Sequence, residues 1–242
     1  SAYRIAEVRP QVNGIILKRL FKEGGDVKAG QQLYQIDPSV YEATLKSAEA
    51  NLRSTKSISD RYKQLVDEQA VSRQEYDDAQ AKRLQAEASL RSAQIDLRYT
   101  KVLAPLSGRI GRSMFTEGAL VNNGQADAMA VIQQLDPIYV DVTQSSAELL
   151  KLRRELESGQ LQKVGANAAK VTLNLEDGST YTHDGRLEFS EVSVDQTTGS
   201  VTLRAVFPNP DHNLLPGMFV HARLAAGVNA AAILAPHQGV TR

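Results

Sequence analysis

Between Ser39 and Ala104 the chain sets apolar and small residues in alternating steps of four and three. In the first arm they are Tyr41, Leu45, Ala48, Leu52, Thr55, Ser59, Tyr62 and Val66. In the second they are Tyr76, Ala79, Arg83, Ala86, Leu90, Ala93 and Leu97. This heptad spacing predicts two helices packed along one stripe, as in a coiled coil. None of the 16 glycines and 8 prolines falls in the stretch, so no strong breaker interrupts it. Ser59 and Arg83 interrupt the stripe and alanine is common, so the expected product is a thin two-helix hairpin. Asp37-Pro38 is expected to open the first helix, with Asp37 as N-cap and Pro38 at the first helical position. Ser72-Arg-Gln-Glu75 has capping-box spacing and starts the second helix, which puts the turn at Asp67 to Val71. Each arm then has roughly 26–30 residues and a length of about 40–45 Å. Glu42/Lys46, Glu49/Arg53, Asp78/Lys82 and Glu87/Arg91 stand four apart, a spacing expected to give weak pairs on the solvated face.

A repeat flanks this stretch. Gly14, Phe21, Glu23, Gly24, Val27 and Gly30 recur as Gly108, Phe115, Glu117, Gly118, Val121 and Gly124, always 94 residues later. Both copies run on to Leu/Ile-Asp-Pro, at Ile36-Asp37-Pro38 and Leu135-Asp136-Pro137. Short apolar runs broken by Glu-Gly turns predict a few short strands per copy, and two copies predict a small pseudo-symmetric β-sandwich. The arrangement resembles the biotinyl/lipoyl carrier fold. In that fold a tight turn bearing a modified Lys joins the halves. Here the helical stretch occupies that position and no Met-Lys-Met or Asp-Lys-Ala stands there, which argues against a carrier.

From Ile138 the pattern becomes alternating. Strands are expected at Ile138–Thr143, Lys170–Leu175, Tyr181–Phe189, Ser200–Phe207 and Met218–Leu224, with a short helix over Ser145–Leu156. Asp177-Gly178 reads as a hairpin turn, and Pro208-Asn-Pro210 and Pro216-Gly217 as breaks. Together with the first strand, Tyr3–Val8, these elements suggest a small antiparallel barrel. Residues 225–232 read as a linker, and 233–242 as the first strand of a further, membrane-proximal β-domain. The expected fold class is therefore α+β, an elongated modular rod. Its parts are a β-barrel over 1–8 and 138–224, a lipoyl-like sandwich over 9–37 and 100–137, a hairpin over 38–99, and a linker with the start of the next domain over 225–242.

Composition narrows the chemistry. Lys plus Arg equals Asp plus Glu at 28 each, which argues against a nucleic-acid protein. The absence of Cys excludes disulfides, thiolate metal sites and Cys nucleophiles. His183, His212, His221 and His237 are far apart, with no HExxH pair, and no GxSxG, GxGxxG or phosphate-loop sequence occurs. No catalytic, cofactor or metal residues are assigned, and an enzyme is not expected. No run of 18 apolar residues exists, and no signal peptide is visible.

Five segments then carry a second resemblance: Val8–Arg19, Leu33–Pro38, Gly108–Arg112, Gln134–Gln144 and Phe207–Pro210. They look like the periplasmic adaptor, or membrane fusion protein, family of RND multidrug efflux pumps, in its MexA/AcrA branch. The resemblance implies a subunit linking a proton-driven inner-membrane transporter to an outer-membrane channel of the TolC/OprM type. It further implies a periplasmic location, an inner-membrane lipid anchor, and self-association into a ring, expected to be a homo-hexamer forming part of a duct wall. The family's hairpin-tip motif is Arg, Leu four residues on and Ser seven beyond, which Arg61, Leu65 and Ser72 match. The resemblance implies that these three contact the channel. Each also has a local explanation: Ser72 as N-cap, Leu65 as packing at the hairpin end, Arg61 as a solvated charge. An adaptor for an ABC-type exporter is the alternative.

Overall fold

A computed structural model of the chain describes residues 1–158, 162–165, 168–188 and 199–224. The linker and strand expected over 225–242 lie outside the described residues, as does Phe189. The chain divides into two units, one of Ala6–Gln133 and one of Ser1–Ile5 with Gln134–Arg242. In chain order the elements begin with β1 (Ala2–Val8), β2 (Gly14–Arg19), β3 (Asp26–Val27) and β4 (Gln32–Ile36). Helices α1 (Ser39–Asp67) and α2 (Arg73–Tyr99) follow. Then come β5 (Lys101–Leu103), β6 (Gly108–Ile110), β7 (Leu120–Val121), β8 (Ala130–Ser145) and α3 (Ser146–Glu157). The last are β9 (Lys163–Gly165), β10 (Ala168–Asn174), β11 (Gly185–Glu188), β12 (Ser200–Phe207) and β13 (His221–Leu224).

In the first unit the two repeat copies bind each other through equivalent bonds. Gly14 pairs with Val121 and Ile15 with Leu120, and 94 residues on, Gly108 pairs with Val27 and Arg109 with Asp26. The Gly24 N–H donates to the Ile110 carbonyl at 2.9 Å, and the Gly118 N–H to that of Ile16 at 2.8 Å. The shared glutamates cross over as well. Glu23 accepts the backbone N–H of Ser113 at 3.0 Å, and Glu117 accepts that of Arg19 at 2.9 Å. Gly24 and Gly118 both hold positive φ, 70° and 86°, as a Glu-Gly turn at this point requires. Ile16, Leu33, Tyr34, Ile36, Ile110, Val121 and Ile132 are fully or almost fully buried between the halves. Phe21 meets the Tyr34 ring edge-on, with centroids 5.2 Å apart.

The hairpin leaves and re-enters this sandwich on paired strands. β4 and β5 are antiparallel neighbours, and the Ile36 N–H donates to the Thr100 carbonyl at 2.8 Å. Every residue of the expected heptad stripe is buried or half-buried, with Ser59, Ala79, Ala86 and Ala93 buried. The two polar interruptions behave differently: Ser59 is buried, whereas Arg83 is half-buried and its Nε is buried without a hydrogen-bond partner. The first helix begins one residue later than expected. Pro38 is its N-cap, and Asp37 instead accepts the Ser39 N–H at 3.0 Å and its hydroxyl at 2.6 Å. Those bonds, the hydroxyl's foremost, hold the Asp37 carboxyl below its ordinary value. The four expected acid–base pairs do not close to ion pairs among the described residues, since exposed long side chains gain too little to be held together.

The second unit is an antiparallel sheet in the order β13-β10-β11-β12-β8 with one helix. Alternation sets its core: Val201, Leu203, Ala205 and Phe207 of β12 are buried, as are Ala169, Val171 and Leu173 of β10. Leu149, Leu152 and Leu156 of α3 face the same core at helical spacing. Ser145 caps α3 by accepting the Glu148 N–H at 3.2 Å. Two strands are shorter than the alternation predicts. The β11 ladder starts at Gly185, because the chain bends at Thr182 and His183. Before the bend the Tyr181 N–H still donates to the Leu173 carbonyl at 2.8 Å, and its buried side chain donates its hydroxyl to the Pro208 carbonyl at 2.9 Å. The last strand starts at His221 and not at Met218, after the Pro216-Gly217 break.

One buried amide ties this unit's loops together. Asn209 Nδ2 donates to the carbonyls of Leu135 and Leu214 at 3.0 and 2.9 Å. Its Oδ1 accepts the Leu214 N–H at 3.1 Å and the Tyr181 hydroxyl at 3.3 Å, and its own N–H donates to Asp136 at 2.8 Å. Asn209→Asp keeps the shape but turns both Nδ2 bonds into carboxylate–carbonyl repulsion in the core. Urea unfolding should show a loss of about 3–5 kcal/mol at neutral pH. At the sandwich seam the expected effect is smaller: Glu117→Ala should cost about 1 kcal/mol in the same assay, and Glu117→Gln, which still accepts, should cost less.

Candidate docking tip

The end of the hairpin is built from two opposed caps. At the end of α1, Gln69 takes a left-handed conformation with φ 57°. The Ala70 N–H then reaches the Leu65 carbonyl at 2.8 Å, and the Gln69 N–H the Val66 carbonyl at 3.1 Å. These are the two bonds of a Schellman motif, closed here by Gln where Gly is usual. At the start of α2 the capping box is complete. The Ser72 hydroxyl oxygen accepts the Glu75 N–H at 3.2 Å. The Ser72 hydroxyl and the Ser72 backbone N–H both donate to Glu75 Oε2, each at 2.8 Å. These bonds, the backbone one foremost, hold the exposed Glu75 carboxyl below its ordinary value. The carboxylate also sits in the first turn, where the helix dipole favours negative charge.

The three residues singled out in the sequence occupy this end of the hairpin. Arg61 and Leu65 lie one helical turn apart on α1, and Ser72 begins α2. Arg61 is exposed and makes no hydrogen bond or ion pair among the described residues, so its guanidinium donors face solvent. Leu65 is half-buried and its carbonyl closes the turn. Ser72 is exposed and is the N-cap. Arg61, Leu65 and Ser72 therefore set a cation, an apolar side chain and a hydroxyl along the last two turns of α1 and the first cap of α2. No step of bond making is implied by such a set, but it suits recognition of a polar, partly apolar surface. Glu75, which the sequence marked only as half of a capping box, is bonded directly to one of the three. Among the described residues, no helix is long and apolar enough to cross a membrane.

Comparison with known proteins agrees with this architecture. Residues 4–133 match the family described as "RND MFP, barrel-sandwich hybrid domain", and residues 137–228 match "RND MFPs, beta-barrel domain". The whole chain is 83% identical to 65% of the antibiotic efflux pump periplasmic linker protein ArpA of Pseudomonas putida. It is 72% identical to 63% of the multidrug resistance protein MexA of Pseudomonas aeruginosa. The chain thus spans somewhat less than two thirds of the length of these relatives. Among solved structures, a MacA-MexA chimera carrying the Pseudomonas aeruginosa MexA α-hairpin domain superposes with a TM-score of 0.75 at 31% identity, over 93% of this chain and 78% of that one. A putative efflux transporter from Bacteroides eggerthii shares the fold, with a TM-score of 0.74 at 21% identity over 100% of this chain and 72% of that one. With the sandwich and the sheet unit both matched, the chain belongs to the membrane fusion protein family of RND pumps.

Proposed function

We propose that this chain is the central part of a periplasmic adaptor in a tripartite RND multidrug efflux pump. In this reading the protein links an inner-membrane, proton-driven transporter to an outer-membrane channel of the TolC/OprM type. Its role is mechanical. Copies associate side by side as a ring, a homo-hexamer, and their β-units form part of the duct wall. An N-terminal lipid anchor holds the intact protein to the inner membrane, and the transporter supplies the energy. The observation that carries this proposal is the family match to both β-segments, combined with the efflux-linker names of relatives identical at 72–83% of positions.

The domain limits proposed from the sequence, with the barrel at 1–8 and 138–224 around the sandwich at 9–37 and 100–137, go with this reading. The hairpin at 38–99 is the reach toward the channel, and Arg61, Leu65 and Ser72 are its contact set. What supports the contact set is the exposed, unpaired guanidinium and the half-buried Leu65 beside a rigidly capped turn. An ABC-type exporter as partner is less favoured, because both matched families carry the RND description. A carrier role is disfavoured by the helices that stand where a carrier needs a short Lys-bearing turn.

The test is made in cells expressing the full-length protein. Arg61→Asp and Leu65→Ser should each abolish drug resistance and crosslinking of the hairpin tip to the channel. Far-UV circular dichroism and expression level should stay unchanged, because neither side chain is part of the buried seam. Normal minimum inhibitory concentrations in both variants would overturn the tip assignment. Copurification with an ATPase and not with a proton-coupled transporter would overturn the choice of pump.

A further inference from the structure

The bonds at Ser72 fix more than the start of a helix. A serine hydroxyl has one proton to give and two lone pairs to receive. Here the proton is given to Glu75 Oε2 and one lone pair receives the Glu75 N–H. The Ser72 backbone N–H ends on the same carboxylate oxygen. Ser72 therefore retains a single lone pair on Oγ and no hydroxyl proton for a partner. Glu75, an ionised carboxylate, likewise has only acceptor capacity left. Six residues before the end of α1, Arg61 is the opposite case, since all its guanidinium donors are free among the described residues.

We propose that Glu75 is a positioning residue for the docking tip. By holding the hydroxyl proton of Ser72 it makes Ser72 an acceptor toward the partner, so the group opposite Ser72 is a hydrogen-bond donor. This rests on the reading of Arg61, Leu65 and Ser72 as the channel contact. The complementary partner surface presents acceptors to Arg61 and a donor to Ser72. A helix–turn–helix end has this character, because the last carbonyls of one helix and the first N–H groups of the next lack partners within their helices. Without Glu75 the hydroxyl rotates freely, and the partner must fix its orientation on binding. That ordering cost, and competition from the donor orientation, weaken docking even though the Oγ to residue-75 N–H cap survives.

The inference is tested by a double-mutant cycle on docking. The full-length protein is immobilised by its membrane end, and the TolC/OprM-type channel of the source bacterium, purified in detergent, is the analyte. Glu75→Ala should raise Kd roughly three- to tenfold, the range of one net hydrogen bond. Glu75→Gln should restore binding close to wild type, since Gln at this position closes the same box. In a Ser72→Ala background, Glu75→Ala should have no further effect. Additive losses, or a Glu75→Gln variant as weak as Glu75→Ala, would overturn the proposal, because Glu75 would then act by its own charge and not through Ser72. Arg61→Asp separates the two levels. If it abolishes docking while the cycle is additive, only the positioning role fails. If docking survives Arg61→Asp, the tip reading fails and the positioning role with it.

Discussion

Neither half of the sandwich can satisfy its own edge, and that constraint organises the unit that carries the hairpin. β2 finds its partner in β7, and β3 in β6, so the ladders that close the sandwich run between copies of the repeat. The crossed glutamates follow the same rule, each accepting an N–H from the opposite copy. A fold closed this way tolerates whatever lies between the copies, provided the two ends of the insertion are brought together. The β4–β5 pairing does this, placing Gln35 opposite Lys101 at the base of the helices. The hairpin thus inherits its base from that strand pair, to which α1 adds the bond from the Tyr41 hydroxyl to the Asn13 carbonyl at 2.7 Å.

Its shaft is economical by contrast. Alanines fill three of the buried positions on α2, which lets the helices approach closely but buries little apolar area per layer. Hydrogen bonds hold the hairpin at both ends, through the paired strands at the base and the two caps at the tip. A half-buried Arg83 with an unpartnered Nε marks the polar middle of the shaft. The turn at the far end of this weakly cored element is held by backbone bonds to the Leu65 and Val66 carbonyls and by the Ser72–Glu75 box.

Much of this was legible in sequence because the signals were local or periodic. The heptad stripe predicted the buried face of both helices, since a steric seam admits only one side of each. The offset of 94 predicted that the copies pair, and equivalent bonds at Gly24 and Gly118 bear it out. Ser72-x-x-Glu75 is a purely local motif and forms as expected. What escaped depends on distant partners. Asn209 reads as part of a proline-flanked break, yet its amide joins Leu135, Tyr181 and Leu214. Nothing in its neighbours announces that, because those partners meet only in the folded core. Tyr181 alternates with Leu187 as a strand residue does, but the bend at Thr182 and His183 between them and the hydroxyl's bond to Pro208 are set by the folded unit. At the tip, Arg61, Leu65 and Ser72 were found through family likeness. The exposure of Arg61 and Ser72, the half-burial of Leu65 and the hydrogen bonds that fix Ser72 come from the three-dimensional arrangement.

The division of labour between base and shaft has an evolutionary corollary. Since the sandwich bonds do not pass through the helices, residues can be added to or removed from both arms without rewriting the sandwich. The seam only requires that the change keep its stripe in phase, which means whole heptads in each arm, each worth about 10 Å of reach. Such a hairpin is an adjustable gauge. A lineage can reset the hairpin's length in discrete increments, while the cap at the far end travels unchanged.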